Sequence, residues 1–249
     1  MASFGQSRNK LLAELWANVQ DILQRDWWAQ EAALPLSTMV LALGAATLLL
    51  LLALLRYIGW LQKRRRTHAM LVAVNDATFG RCIPRSRTGA WGFAVSVEPP
   101  PDRFREFNIS YQPMSIIDPV DLLRFCFGGR RTLLQIAGNF EDAPTAELIW
   151  MRGQPPARTL GVNPGRAPWV QARLDYIGVE YATRGSNVAA MKHAFQDLIA
   201  RFAPMVRSIT VQRERRPQLR LVAAGRLEMR DISPLITAAR ALGRAAMLE

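Results

Sequence analysis

EAALPLSTMVLALGAATLLLLLALLRYIGWLQKRRRTH, residues 31–68, decides how the rest of this 249-residue chain is read. Residues 36–55 carry no charge, and half of them are leucine. A helix of that length rises about 30 Å, the thickness of a bilayer's hydrocarbon core. At about −0.5 kcal/mol each, the leucines alone favour insertion by about 5 kcal/mol. Ser37, Thr38 and Thr47 can bond back to the helix backbone, so they weigh little against it. A helix in the core of a soluble protein normally keeps one polar stripe, and residues 36–55 have none. The stretch reads as a transmembrane helix.

A cleaved leader fits badly. Such leaders place a basic region directly before an apolar run of about 7–15 residues, followed by a small-residue cleavage site. Here the run is longer, begins after Pro35, and ends in Arg56, Tyr57 and Trp60. Lys63, Arg64, Arg65 and Arg66 follow, so an aromatic belt is succeeded by a stop-transfer cluster. The fifteen residues before Leu36 hold one basic residue, Arg25. The asymmetry predicts an N-terminus outside and a C-terminal domain in the cytoplasm, in an inner (plasma) membrane crossed once. Lys63, Arg64, Arg65, Arg66 and Trp60 are thus candidate membrane-surface residues, and the four cations can also attract anionic lipid.

Ahead of the span, residues 9–33 place Leu12, Leu15, Trp16, Val19, Ile22, Leu23 and Trp27 at helical spacing. Trp16, Trp27 and Trp28 suit a headgroup boundary, where a ring and its N–H are both satisfied. An amphipathic interfacial helix is predicted over residues 1–35, lying on lipid or docked on a neighbouring subunit. Within the span, Thr38, Ala42, Ala46 and Ala53 share one face, where small side chains let another helix approach. The predicted organisation is 1–35 interfacial helix, 36–60 transmembrane helix, 61–68 basic flank and 69–249 soluble domain.

The soluble part is long enough for a well-buried core. Net charge is +12 overall, and 24 basic against 16 acidic residues give +8 for 67–249. Patterning predicts strands over 91–97, 104–111, 132–138 and 146–152, and one long or two short strands over 169–182 with a bulge at Gly178. Asp118-Pro119 and Ser233-Pro234 each look like an N-cap followed by a first-turn proline. A third helix follows Ser186 or Asn187, with Val188, Met191, Phe195, Leu198, Ile199 and Phe202 as its apolar stripe. Two strands flank the charged tip 213–217. The order predicts an α+β fold, a mostly antiparallel sheet with helices on one face. The pair MSIIDP (114–119) and MRDISP (229–234) raises a duplicated ββα unit as an alternative to chance.

Chemistry is sparse. Two histidines and two cysteines form no ligand-spaced cluster, so no metal site is predicted. Phosphate-loop, dinucleotide and nucleophile-elbow patterns are missing, and no cofactor or catalytic residue is assigned. Cys126 is expected in the core, and Cys82, between Arg81 and Arg85, is a candidate for a lowered pKa. Arg213, Arg215, Arg216 and Arg220 are candidate polyanion contacts, with Trp91, Phe93, Phe107 and Tyr111 as nearby aromatics. Three functions fit: a membrane-anchored accessory or scaffold subunit with a membrane-protein or homo-oligomeric partner; a tethered module binding anionic lipid or nucleic acid; and, ranked last, an enzyme built from distant loop residues such as 153–168.

Overall fold

The computed structural model describes residues 36–86, 88–129, 131–154, 168–174, 178–186 and 188–248. The predicted interfacial helix, with Trp16, Trp27 and Trp28, lies outside the described residues, as do positions 155–167 of the loop 153–168. The chain divides into two units between Leu51 and Leu52.

Helix α1, Leu36–Ala77, is 42 residues long. It is the one helix among the described residues that is long and apolar enough to cross a membrane, and none of its most apolar eighteen-residue window is buried. In the first unit, Thr47 returns its hydroxyl to the Leu43 carbonyl at 2.8 Å, the local bond that makes a threonine tolerable in an apolar helix. Thr38, Ala42 and Ala46 are exposed there, and Ala53 is exposed in the second unit.

The second unit is α+β. Its nine strands form one antiparallel sheet: β1 (Cys82–Pro84), β2 (Phe93–Val97), β3 (Phe104–Gln112), β4 (Leu133–Phe140), β5 (Ala146–Met151), β6 (Val170–Leu174), β7 (Val179–Gly185), β8 (Val206–Val211) and β9 (Leu219–Ala224). Their spatial order is β1-β2-β3-β4-β9-β8-β5-β7-β6. Three further helices are α2 (Pro119–Gly128), α3 (Val188–Phe202) and α4 (Met229–Ala246). Alternation is clear in β3, where Phe104, Phe107, Ile109 and Tyr111 are buried and the residues between them are not. That is the two-residue period of a sheet with one face on a core. Met70 and Val74 of α1, the α3 stripe from Met191 to Phe202, and Ile232, Leu235, Ala239 and Leu242 of α4 join the inward strand residues in one core. α2 contributes nothing to it.

Several local expectations change. Residues 61–68 are not a separate flank: α1 continues through them to Ala77, because Met70 and Val74 bury against the sheet. β1 is a three-residue edge strand in a segment to which the patterning assigns no strand. Gly178, at φ 61°, sits in a turn joining paired strands β6 and β7, where Leu174 faces Val179, and is not a bulge. α4 begins five residues before Pro234, with Glu228 as its N-cap and Pro234 inside the helix. The Asp231 carboxylate accepts the Glu228 N–H at 3.1 Å, so an acid three residues on does the capping expected of Ser233. MSIIDP is mostly non-helical lead-in, whereas MRDISP is helical throughout. The two hexapeptides therefore sit differently, one ahead of its helix and one within it.

Candidate functional site: the Lys63 junction

α2 is short and sharply bounded. Asp118 caps it, its Oδ1 accepting the Val120 N–H at 3.1 Å, and Pro119 occupies the first turn, where a missing N–H is harmless. Gly129 ends it at φ 59°, a left-handed position that a residue without Cβ takes without strain. These features follow the sequence reading. The orientation of the helix does not. At 100° per residue, Leu122, Leu123, Cys126 and Phe127 fall within an arc of about 140°, opposite Asp121 and Arg124. In a soluble domain that arc would face the core. Here Leu123 and Phe127 are 57 and 87 % exposed, while Asp121 is 4 % exposed. Cys126, expected in the core, is exposed for the same reason.

What fixes the start of α2 is a buried cation; beyond Asp121 the helix is exposed on every side, Arg124 included. Lys63 of α1 is 5 % exposed, unlike Arg64, Arg65 and Arg66 beside it, which are all exposed. Its Nζ donates to Asp118 Oδ2 at 2.6 Å and to Asp121 Oδ2 at 3.0 Å. Asp121 Oδ2 also accepts the Ser115 N–H at 3.2 Å, and Ser115 Oγ donates to Gln62 Oε1 at 3.3 Å. One ammonium thus joins two carboxylates, and backbone N–H groups bond Asp118 Oδ1 and Asp121 Oδ2 as well. A buried charge is tolerable only on those terms. Burial alone would raise the Asp118 pKa. The hydrogen bonds from Lys63 and the Val120 N–H, with the charges of Lys63 and Arg56, outweigh burial and hold it below its ordinary value.

Close packing completes the junction. A Cβ on Gly59 would lie 2.7 Å from Asp118 Cβ and 3.0 Å from its Cα, so only glycine lets the start of α2 rest directly on α1. The Lys63 Nζ stands 5.4 Å from the ring centre of Trp91, which is itself 69 % exposed. One turn back along α1, Tyr57 and Trp60 stack at 6.1 Å, and the Arg64 guanidinium lies 5.5 Å from the Trp60 ring. Lys63 is therefore a structural ion inside the domain, which corrects its reading as a surface residue; Trp60 and Arg64–Arg66 keep exposed positions. Sequence reasoning identified Asp118 as a cap but missed Asp121, the Lys63 pairing and the outward apolar face. A signal was present: Lys63 is one of only three lysines in a chain whose other 29 cations are arginine. An ammonium's three donors suit bridging two single carboxylate oxygens better than the planar guanidinium does.

The remaining candidates lie elsewhere. Strand register places Gln112, Leu133 and Ala224 at one end of the sheet, and Phe104, Gly138 and Leu219 towards the other. α2 connects β3 to β4 at the first end. The tip 213–218, between β8 and β9, projects from the second. Arg213, Arg215 and Arg216 are exposed there, and Arg220 donates to Gln135 Oε1 at 3.2 Å. Inside the tip, Glu147 is buried, paired with Arg184 and accepting the Arg213 N–H at 2.6 Å, so the hairpin is held at its base. Of the four aromatics considered, Phe93, Phe107 and Tyr111 are buried core and only Trp91 is available. Cys82 is half-buried, and burial raises its pKa, partly offset by the hydrogen bond with Thr78, the direction opposite to the lowering considered from Arg81 and Arg85. Among the described residues no group of three or more His, Cys, Asp and Glu side chains is gathered as a metal site. No protein-family model and no curated protein matches this chain.

Proposed function

We propose that this chain is a single-pass membrane-anchored accessory or scaffold protein, a subunit of a membrane complex whose basic α+β domain faces the cytoplasm. The observation that carries the reading is α1 itself. Its apolar stretch has no buried window, and the same helix supplies Met70 and Val74 to the core of the domain. A helix that is exposed and uncharged all round requires an apolar solvent, because burying leucine away from water is worth about 1.5–3 kcal/mol per side chain. The cytoplasmic side is supported by the excess of cations after the span. Contact with a partner helix, or with a second copy, is supported by the small exposed face of Thr38, Ala42, Ala46 and Ala53.

Purification of the full chain in mild detergent from its native membrane tests this. The expected result is a stoichiometric complex or homo-oligomer. A clean monomer overturns the scaffold reading while leaving the anchor intact.

A second reading, a tethered module for polyanions, is favoured by one observation: Arg213, Arg215 and Arg216 are exposed together on a projecting tip. Because that tip leaves the sheet at the end away from α2, nucleic acid suits it better than the lipid beside the anchor. Full-length protein in uncharged-lipid nanodiscs should then bind single-stranded nucleic acid with an affinity that falls steeply with salt. No binding at low salt removes this reading.

A further inference from the structure

We propose that α2, with Trp91 and Ile116 beside it, is a second membrane contact, whose exposed apolar side chains enter the lipid headgroup boundary close to where α1 leaves the bilayer. The inference rests on reading α1 as a membrane span. Its first support is exposed apolar surface. Leu122, Leu123, Phe125 and Phe127 are exposed on α2, and Ile116 just before it is 70 % exposed. Two buried carboxylates and a buried lysine hold the start of the helix in place.

Height is the second support. Residues 36–55 are long enough to fill the hydrocarbon core, and Gly59 lies four residues beyond, about 6 Å at 1.5 Å per residue. The headgroup layer on each side is about 5–8 Å deep, the difference between core and full bilayer thickness shared over two faces. Asp118 rests on Gly59, so the start of α2 packs on the same stretch of α1 that carries Tyr57 and Trp60. Direction is the third. α2 joins β3 to β4, with its Asp121 side bonded to Lys63 and Ser115. Its apolar arc, opposite Asp121, consequently points away from that contact.

The surroundings select lipid over protein as the occupant. Trp60 and Tyr57 are residue types that settle at the headgroup boundary, and Arg56, Arg64 and Arg124 supply cations for lipid phosphates. At that level the medium itself covers the face, and no partner is needed to bury it.

Site-directed nitroxide labelling of the full chain tests the proposal, after reconstitution into phosphatidylcholine–phosphatidylglycerol vesicles. Cys126 lies in the middle of the apolar arc and can be labelled directly in a Cys82→Ser background. Phe127→Cys, Leu48→Cys in the span and Arg215→Cys at the far tip are labelled after both native cysteines are replaced by serine. The expected result is oxygen accessibility exceeding that of a water-soluble nickel chelate at positions 126 and 127, at a depth of about 5–10 Å. Position 48 should lie deeper and position 215 in water. Water-like readings at 126 and 127 with position 48 deep overturn the proposal and spare the anchor. Shielding of 126 and 127 from both probes overturns it in favour of a protein cover. A water-like reading at 48 overturns the span and this inference together.

Discussion

α2 and α4 each follow a hairpin, and each carries Met-x-x-Ile-[Asp/Ser]-Pro at or just before its first turns, yet only α4 buries an apolar face. α4 buries Ile232, Leu235, Ala239, Leu242 and Ala246. α2 buries Asp121 and exposes its leucines and phenylalanines. Local chemistry made both helices. What holds each one differs: an apolar sheet face under α4, a lysine at the start of α2. An apolar stripe therefore predicts burial only when a hydrophobic surface is the nearest neighbour. A buried ammonium with two acids can hold a helix end against its neighbour without any apolar burial, since leaving that charge unpaired is costly.

The largest expected effect comes from removing the ion that separates the two cases. Lys63→Met leaves Asp118 and Asp121 buried without their cation and should cost about 3–5 kcal/mol. Denaturant unfolding of the full chain in detergent measures it. Adding Asp118→Asn and Asp121→Asn should recover part of the loss, because the uncompensated charge is then gone. If Lys63→Met is silent, the buried pair does not hold α2.

Leu235→Ala strikes the other side of the comparison. Leu235 is fully buried, and its truncation should cost about 2–5 kcal/mol in the same unfolding measurement. Gly59→Ala comes next. The new Cβ meets the Asp118 backbone, so α2 should be pushed off α1 at about 1–3 kcal/mol. Amide exchange should rise across Val120–Phe127 and stay unchanged in α4, which separates local undocking from general destabilisation.

Acid provides a graded version of the same break. The Asp118 pKa is lowered in the folded chain, so its contribution is fully present above the ordinary carboxylate value of 3.8. It is lost as pH falls through the lowered value, when the unfolded chain has already taken up its proton. α2 amides should therefore lose protection below about pH 4, before those of α4. Equal loss in both helices would mean that the junction is not the acid-labile element. The smallest effect is expected from Leu123→Ala, the formal counterpart of Leu235→Ala. On an exposed face it should change stability by no more than about 0.5 kcal/mol. A cost comparable to that of Leu235→Ala would show that something in the protein covers α2.

Much of this architecture was legible residue by residue. Periodicity located α3 and named Met191, Phe195, Leu198, Ile199 and Phe202, all of which are buried. Alternation located β2 and β3, and Asp118-Pro119 marked the start of α2 to the residue. The start of α4 was misplaced because Ser233-Pro234 resembles a stronger cap than Glu228 with Asp231, and only packing of Ile232 into the core extends the helix backwards through a proline. The junction was hidden for a different reason. Lys63 and Asp118 are 55 residues apart, and nothing in either neighbourhood refers to the other.

The run of residues 36–55 by itself determines a helix that seeks an apolar medium, because twenty uncharged, leucine-dense positions satisfy their backbone only by coiling and their side chains only away from water. Strand and helix identities in the domain are likewise matters of local period and capping. The docking of α2, the burial of one lysine in a row of cations and the exposure of Trp91 were decided by the tertiary fold alone. Each depends on the electrostatic cost of a charge at a place that exists only after distant segments have met.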